Sequence, residues 1–352
     1  MPRWRRAVQA SRPAAYALRS LLWSDCAGIQ WISRVANPPR FYDRDVPAPG
    51  ATEVRIQVKA IGINRAESMW RNDAYIEPVK FPAGLGYEAA GIVDAVGKDV
   101  EGFVVGDSVN VVPSFSMNDY TTYGEVIIAP HYAVVKQPPS LSFIEAASIW
   151  MMFVTPYGAL IEDAKVTQGD FVIIPAASSS VGLAAIQLTN YVGATAIALT
   201  RTPEKRGKLR DAGAAHVLAT DEVDLAEEVK RITGGKGARV VFDPVGGSTF
   251  PKLLAALSFQ GTAYIYGALS EEVTPLPLLE MIAKMLTVKA HNIWLTSGDK
   301  ARQKAAVDFV LKGFAAGALR PIIDRVFKFD EMAEAHRYLE KNAQFGKIVV
   351  TV

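Results

Sequence analysis

Cysteine, histidine and net charge are all scarce in this chain of 352 residues. It holds one cysteine, Cys26, and four histidines, and its formal net charge is +2. A single cysteine excludes an intramolecular disulfide and any cysteine-rich zinc site. So small a net charge gives no general attraction to nucleic acid or to an anionic membrane surface, and we expect no nucleic-acid partner.

The sequence also has no uninterrupted apolar run long enough to span a bilayer, so we expect no membrane partner. Half of the residues are hydrophobic and 21% are charged, as is ordinary for an α/β enzyme. The length is sufficient for two domains and a large core. These properties favour a cytoplasmic location.

Acids are absent from the first 24 residues, where five arginines precede Asp25. A start that is rich in arginine and poor in acids is typical of an organelle transit peptide. A start codon placed too early, or a disordered basic tail, would have the same composition. We therefore treat residues 1–34 as an N-terminal extension of undecided status, with organelle targeting as the less favoured alternative.

The most informative stretch runs from Phe171 to Ile186. Its residues predict a buried strand, a tight turn of small residues and a helix that has glycine near its start. Such a turn brings backbone N–H groups and the positive end of a helix to a phosphate, as in dinucleotide-binding folds, although serines stand here where glycines are usual. The candidate cofactor-binding residues of the turn are Ser178, Ser179, Ser180, Val181 and Gly182, and Gly182 holds the position for close packing of the helix against the strand.

A second apolar strand, 194–199, ends in Thr200 and Arg201 rather than in an acid. An acid at this place would bind the ribose 2′-hydroxyl of NAD, whereas an arginine accommodates the 2′-phosphate of NADP. Together with Lys205 these residues predict NADPH as the cofactor. The alternative is a solvated helix start, for which Pro203 is also suited.

The hydrophobic pattern divides the chain into two kinds of region. Up to about Ala133 it has the period of short strands with connections rich in glycine and proline, and after Glu145 strands alternate with helices. The alternation predicts βαβ units and a parallel sheet. The predicted strands are 171–174, 194–199, 216–218, 238–242, 262–265 and 347–352, and the predicted helices are 181–191, 203–212, 225–233, 250–258, 301–315 and 331–340.

An ordered set of short motifs resembles the medium-chain dehydrogenases/reductases, and within them the zinc-independent quinone oxidoreductase branch. The resemblance runs from about residue 45 to 352. Besides the serine turn, the motifs are Gly62-Ile-Asn-Arg-Ala-Glu67, Gly84-Leu-Gly-Tyr-Glu-Ala-Ala-Gly91, Val96-Gly97, Gly106-Asp107, Asp211-Ala-Gly-Ala214, Asp243-Pro-Val-Gly-Gly247 and Gly346-Lys-Ile-Val349.

The resemblance implies an α/β fold with two domains. A doubly wound Rossmann sheet would occupy residues 151–294, and a β-rich GroES-like catalytic domain would combine 35–150 with 295–352. The active-site cleft would lie between them. The resemblance also implies a homodimer, for which the apolar runs 262–268 and 286–290 are candidate pairing edges.

No metal site is expected. Zinc-dependent relatives supply a cysteine at the position of Asn64 and a histidine at that of Tyr87, and the four histidines of this chain have no ligand spacing. Without a Lewis acid, alcohol oxidation is disfavoured. Reduction of a polarised C=C bond or a quinone stays feasible, because the charge forms on a conjugated oxygen.

The resemblance assigns roles to residues along the cleft. Asn64 and Thr155 would lie near the nicotinamide, and Tyr75 matches the proton donor of the enoyl reductases. Tyr266 would lie at the carboxyl end of the sheet. Each has a structural alternative: a turn for Asn64, a cap for Thr155 and ring packing for Tyr75.

Phe345 and Lys347, near the end of the chain, would return to the cleft in the resembled fold. Lys347 would contact a cofactor phosphate there, and its structural alternative is a surface lysine at the start of a strand.

Three functions stay open at this point. The first is an NADPH-dependent reductase of a quinone or an α,β-unsaturated carbonyl. The second is a 2-enoyl thioester reductase with Tyr75 as acid. The third is an NADPH-binding protein with a structural or regulatory role, because the serine turn departs from the usual glycines.

Overall fold

The structure, a computed structural model, describes residues 18–23, 40–44, 46–81 and 83–352. Cys26 and most of the predicted extension 1–34 lie outside the described residues. Residues 18–23 of that extension form a strand, which pairs antiparallel with a strand at 40–44 and with a short one at 83–84. Part of the predicted N-terminal extension 1–34 thus belongs to a three-stranded sheet.

The elements are numbered in chain order. The strands are β1 (Leu18–Trp23), β2 (Arg40–Arg44), β3 (Glu53–Ile63), β4 (Ala83–Gly84), β5 (Glu88–Val96), β6 (Ser108–Val111), β7 (Val126–Pro130), β8 (Val134–Lys136), β9 (Phe171–Ile174), β10 (Thr195–Thr200), β11 (His216–Ala219), β12 (Ala238–Asp243), β13 (Leu257–Ile265), β14 (Thr287–Ala290), β15 (Ile323–Lys328) and β16 (Lys347–Thr351). The α-helices are α1 (Arg65–Arg71), α2 (Phe143–Ala146), α3 (Trp150–Pro156), α4 (Ser180–Tyr191), α5 (Arg206–Asp211), α6 (Leu225–Ile232), α7 (Phe250–Ala255), α8 (Leu278–Lys284), α9 (Trp294–Ser297), α10 (Lys300–Ala315) and α11 (Met332–Glu340).

Six parallel strands form the sheet that the alternating pattern predicts. Their order is β11-β10-β9-β12-β13-β14, which is the Rossmann order 3-2-1-4-5-6. Val172, Ile173 and Ile174 of β9 are fully buried, because a parallel sheet is covered on both faces. The strand order reverses between β9 and β12, and the carboxyl ends of strands at such a point form the crevice where ligands bind.

The second large sheet is mixed and has seven strands, in the order β15-β16-β3-β5-β6-β8 with β7 paired to β3. Strand β3 buries Val54, Ile56 and Val58, in agreement with their predicted alternation. The last strand, β16, lies antiparallel to β3 with Ile348 opposite Ile63. This pairing brings the end of the chain beside the motif that contains Asn64.

A largely helical stretch, Phe143–Asp163, connects the two sheets. It has 21 residues and a mean hydropathy of 1.4, enough by length and composition to cross a membrane, but 83% of its most apolar window is buried inside the protein. The sequence expectation counted only uninterrupted apolar runs and overlooked this stretch. A buried core helix has the same composition as a membrane-spanning one.

The stretch ends in a π-helix at Tyr157–Asp163, directly after Pro156. Proline has no N–H to donate and disturbs the regular helical ladder. The carbonyl oxygen of Thr155 accepts a hydrogen bond from Nε2 of His291 at 2.8 Å. His291, the residue after β14, thereby holds helix α3, which carries Thr155, in place.

Candidate functional site

The turn between β9 and α4 has the geometry of an anion site. The Oγ of Ser179 caps α4 by accepting the Gly182 N–H at 3.0 Å. The first N–H groups of a helix have no acceptor within the helix, so those of Ser180 and Val181 remain for a ligand. We call residues 176–182 the phosphate turn.

Gly182 shows the close approach that the sequence predicts. A Cβ at this position would lie 2.8 Å from the carbonyl oxygen of Ala176 and from the Cα of Ala177. Contacts under 3 Å would force α4 away from the turn. The serines, in contrast, occupy positions where side chains fit, and one of them takes over the capping of the helix.

A cationic corner lies beside the phosphate turn. The Nζ of Lys205 donates to the Oγ of Ser178 and to the carbonyl oxygen of Gln344, each at 3.1 Å. Arg201 is exposed where β10 ends at Thr200. Burial, with the charge of Arg201 contributing, lowers the pKa of Lys205. The corner therefore suits a bound anion.

The end of the chain packs against the same turn. The Gly346 N–H donates to the carbonyl oxygen of Ser178 at 2.9 Å, and the Lys208 ammonium lies 5.7 Å from the centre of the Phe345 ring. Gly346 has a φ of +114°, and a Cβ there would lie 2.3 Å from the Ile322 oxygen. Phe345 is thereby placed next to the cationic corner.

Tyr266 follows β13, at the carboxyl end of the sheet. Its ring stacks on Phe242 with centroids 3.9 Å apart, and its hydroxyl is buried without a hydrogen-bond partner. Burial and the nearby Asp243 carboxyl raise the pKa of Tyr266. The Ser179 hydroxyl opposes this shift, although it lies too far off line for a well-formed hydrogen bond.

Four polar residues form a buried cluster between the two sheets: Asn64, Glu67, Glu88 and Lys347. The Nζ of Lys347 donates to the Oδ1 of Asn64 at 2.5 Å and to the Oε1 of Glu88. The side chains of Lys347 and Glu88 are 0% and 1% exposed. Lys347 therefore lies in the interior against a carboxylate, and not in the predicted position at a cofactor phosphate.

On the other side of this cluster, the carboxyl group of Glu67 accepts hydrogen bonds from Asn64 and Tyr87. Its Oε2 accepts the Asn64 N–H at 2.7 Å, and its Oε1 accepts the Asn64 amide at 3.1 Å and the Tyr87 N–H at 3.2 Å. Burial raises the pKa of Glu67 to about 7, against these hydrogen bonds and the charge of Lys347.

The side chain of Asn64 consequently forms its hydrogen bonds with other groups of the protein. Its oxygen accepts from Lys347, and its amide nitrogen donates to Glu67 and, at 3.4 Å, to the carbonyl oxygen of Gly62. It also begins α1 in a capping box with Glu67. Asn64 thus begins a helix and binds Lys347 in the ligand-free chain rather than forming the turn given as its alternative, and its place near the nicotinamide stays a prediction.

The donor atoms at this place do not fit a zinc ion. The positions of the metal-binding cysteine and histidine are held by Asn64 and Tyr87, and the oxygens of Asn64 and Glu88 already bind an ammonium group. Across the described part of the chain, histidine, cysteine and acidic side chains form no group of three that could hold a metal.

Aromatic rings pack together next to the buried cluster. The ring of Tyr87 lies 6.2 Å from that of Tyr75, 6.1 Å from Phe115 and 6.4 Å from Trp294. Trp70 lies 6.2 Å from Tyr75 on the other side. Burial raises the pKa of Tyr75 to about 12, so this hydroxyl keeps its proton at neutral pH.

Thr155 is buried in α3, and its hydroxyl donates to the carbonyl oxygen of Met151 at 2.6 Å. Its placement leaves the hydroxyl oxygen, but not its proton, for a ligand.

Two groups at the site were missed from the sequence, Glu67 and the ring of Tyr87. The capping-box spacing of Asn64 and Glu67 was a usable signal for the first, whereas the contacts of the Tyr87 ring come from distant segments.

Comparisons with known proteins agree with this architecture. An alcohol dehydrogenase GroES-like domain matches residues 50–139, and a zinc-binding dehydrogenase domain matches residues 180–312. Human synaptic vesicle membrane protein VAT-1 homolog-like is 28% identical over 335 residues, covering 90% of this chain and 78% of that protein. Human quinone oxidoreductase is 28% identical over 310 residues, covering 88% and 92%. A Burkholderia 2-haloacrylate reductase is 28% identical over 331 residues, covering 91% and 97%.

Solved structures give the same result. An NAD-dependent alcohol dehydrogenase superposes with a TM-score of 0.84 at 30% identity, covering 95% of this chain and 99% of its own. Escherichia coli quinone oxidoreductase complexed with NADPH superposes with a TM-score of 0.84 at 27% identity, covering 95% and 100%. The chain belongs to the medium-chain dehydrogenase/reductase superfamily of oxidoreductases, in its quinone oxidoreductase-like branch.

Proposed function

We propose that this oxidoreductase is an NADPH-dependent reductase of quinones or α,β-unsaturated carbonyls that needs no zinc. The observation that carries the proposal is the pairing of Lys205 with Ser178 beside Arg201, at the end of a strand that has no acid. The neighbour from Escherichia coli was solved with NADPH, while the other neighbour is NAD-dependent. The choice of nucleotide is therefore part of the proposal.

NADPH fits the residues present. The N–H groups of Ser180 and Val181 would bind the pyrophosphate, with the positive end of α4 behind them. Arg201 and Lys205 would bind the 2′-phosphate, one as a planar fork and the other as a point charge. When bound, the nicotinamide supplies a hydride to an electrophilic carbon of the substrate.

The rest of the chemistry belongs to the cleft. The aromatic rings around Tyr87 shield a planar substrate from water, and the Tyr75 hydroxyl donates a hydrogen bond to an oxygen that gains charge. The interior ammonium of Lys347 binds Asn64, the residue at the position of the metal-binding cysteine of zinc-dependent relatives. We therefore expect activity that survives a chelator, and a purified protein with no stoichiometric zinc. Activity that a chelator abolishes and zinc restores would overturn this part.

A 2-enoyl thioester reductase is the second candidate, and the place of Tyr75 among the aromatic rings supports it. Burial raises the pKa of Tyr75 to about 12, so its hydroxyl is protonated at neutral pH and is able to donate a hydrogen bond to a developing enolate. The Tyr75→Phe variant keeps the ring and removes only the hydroxyl. Reduction of a 2-enoyl thioester should then fall by roughly 10²–10⁴-fold, and quinone reduction much less, because a reduced quinone takes protons from water.

The deciding experiment measures NADPH and NADH oxidation with 1,4-benzoquinone, 2-cyclohexen-1-one and crotonyl-CoA. Turnover of a quinone or enone with a preference for NADPH supports the first candidate, and turnover of crotonyl-CoA supports the second. Tight NADPH binding without turnover of any of the three would favour an NADPH-binding protein with a structural or regulatory role.

We also propose a homodimer formed through the open edge of the six-stranded sheet. Beside edge strand β14, helix α8 leaves Leu279 and Ile282 85% and 72% exposed. An unpaired edge with an apolar neighbour is suited to pairing across a two-fold axis. Light scattering at micromolar concentration should give a dimer that Ile282→Glu disrupts, and a monomeric wild type would contradict the proposal.

A further inference from the structure

We propose that Tyr87 is a positioning residue for the reaction: its buried hydroxyl donates to the oxygen of Tyr75 and thereby aims the Tyr75 proton at the substrate. The inference rests on the proposed role of Tyr75 as proton donor to the substrate. It concerns a residue that holds the histidine position of zinc-dependent relatives, where this chain has a second phenol instead of a metal ligand.

Tyr87 is held firmly on all sides. The residue is 0% exposed, and its backbone N–H is bound to Glu67 at 3.2 Å. Its ring lies against Tyr75, Phe115 and Trp294 at centroid distances of 6.1–6.4 Å. A side chain packed in this way has little freedom to turn its hydroxyl elsewhere.

The hydroxyl of Tyr87 lacks a well-formed hydrogen bond in this interior. A buried hydroxyl without a partner is costly, so such a group calls for a partner or a task. Of the three ring neighbours, Phe115 has no polar atom, and the indole of Trp294 only donates. The phenol oxygen of Tyr75 is thus the acceptor that these neighbours offer to the Tyr87 proton.

The packing of the two rings, with centroids 6.2 Å apart, brings the hydroxyls near enough for each to affect the pKa of the other. The contact lowers the pKa of Tyr75, opposing the larger effect of burial, and raises the pKa of Tyr87. The carboxyl groups of Glu67 and Glu77 raise the pKa of both. The contact is a polar one that falls short of ideal hydrogen-bond geometry in the ligand-free chain, and catalytic hydrogen bonds commonly tighten further when substrate is bound.

The direction of the bond follows from proton counting. Each phenol donates one proton, so an oxygen that accepts from Tyr87 leaves the Tyr75 proton for the cleft, where Tyr75 is only partly buried. The chain of donors runs from Tyr87 to Tyr75 to the substrate, and each hydrogen bond polarises the next.

The proton step balances as follows. Once the conjugated carbonyl compound has accepted a hydride from NADPH, the enolate takes the Tyr75 proton. The O–H bond of Tyr75 breaks, a C–H bond forms at the α-carbon, and the charge moves to the Tyr75 oxygen. Tyr87 keeps its own proton and stabilises that charge by its hydrogen bond, until water returns a proton to Tyr75.

A double-mutant cycle in stability tests the hydroxyl pair without reference to activity. Unfolding by urea is measured for Tyr75→Phe, for Tyr87→Phe and for the double variant. We expect non-additive effects, because either single change removes the same contact. The matched control is Tyr123→Phe, whose buried hydroxyl contacts His336 Nε2 at 3.2 Å; with Tyr87→Phe it should be additive. Additivity in the Tyr75 and Tyr87 cycle would overturn the inference.

Steady-state kinetics tests whether Tyr87 positions the Tyr75 proton for the reaction. In Tyr87→Phe we expect kcat with crotonyl-CoA to fall by about tenfold, the equivalent of one hydrogen bond, while its solvent deuterium isotope effect rises and the NADPH affinity stays unchanged. A packing role would leave the isotope effect unchanged. If Tyr75→Phe loses activity and Tyr87→Phe does not, the inference fails and the proposed function stands. A wild type that is inert toward every substrate overturns the proposed function. The stability cycle then still tests whether the hydroxyls of Tyr75 and Tyr87 interact.

Discussion

The phosphate turn and the buried cluster are joined by the segment at Gly346 and Lys347 and are built in opposite ways. The turn is local: Ser179 caps a helix that begins at the next residue, and its ligand groups are backbone N–H groups. The cluster is non-local: Asn64 and Lys347 are 283 positions apart and meet only because β16 pairs with β3. A local site of backbone groups tolerates new side chains, whereas a buried set of charges depends on every member.

The largest effect should come from breaking the cluster with Lys347→Met. The change leaves the buried carboxyl groups of Glu88 and Glu67 without their cation, which should lower the free energy of unfolding by about 3–5 kcal/mol. Urea unfolding measures the loss. The double variant Lys347→Met with Glu88→Gln should recover much of it, and a single variant that loses less than about 1 kcal/mol would show that the cluster is not coupled.

The pH dependence of stability sharpens the same comparison. The pKa of Glu67 is about 7 in the folded protein and 4.5 as its ordinary value, so between these pH values the folded state binds the extra proton. The stability from this group is complete below about pH 4.5 and is lost as the pH rises to 7, about 3 kcal/mol in all. Unfolding at pH 5 and pH 8 should show this loss in the wild type relative to Glu67→Gln. Equal pH dependences would contradict it.

Substitutions in the cationic corner should change the preference for NADPH over NADH and leave the fold unchanged. Lys205→Ala or Arg201→Ala removes one charged hydrogen bond to the 2′-phosphate, which should weaken NADPH binding by about 1.5–3 kcal/mol and leave NADH binding unchanged. Calorimetric titration of both cofactors is the measurement. The exposed Arg210 on α5 provides the control, Arg210→Ala. Equal wild-type affinities for the two cofactors would remove the basis for NADPH.

The smallest effect is expected at the capping serine. Ser179→Ala removes the acceptor of the Gly182 N–H and should cost about 1 kcal/mol of stability, while Ser179→Gly, the residue usual in the family, should cost only a few tenths. NADPH affinity should change little in either variant, because the N–H groups of Ser180 and Val181 stay in place. A large loss of affinity in both would show that the hydroxyl itself binds the cofactor.

Much of the Rossmann half could be predicted because its signals are short-range. Strand β9 and helices α4 and α6 lie within a residue of the predicted ranges, since apolar strands and the helical period depend on neighbouring residues. Strand β13 begins five residues before the predicted 262–265. Its first half carries polar and exposed residues that break the apolar pattern, and Leu257 joins the sheet by pairing with Ala238 of β12.

The sequence by itself determined the family, through an ordered set of motifs, and the parallel sheet, through its alternating strands and helices. It also determined the close approach at Gly182 and the cationic corner after β10, because each depends on residues within one βα unit. The tertiary structure alone decided that Lys347 and Asn64, which the resemblance placed beside the cofactor, bind each other in the interior. It also decided the neighbours of Tyr87. Burial and partner choice depend on which distant strands pair, and no short-range pattern in the chain encodes the resulting electrostatics.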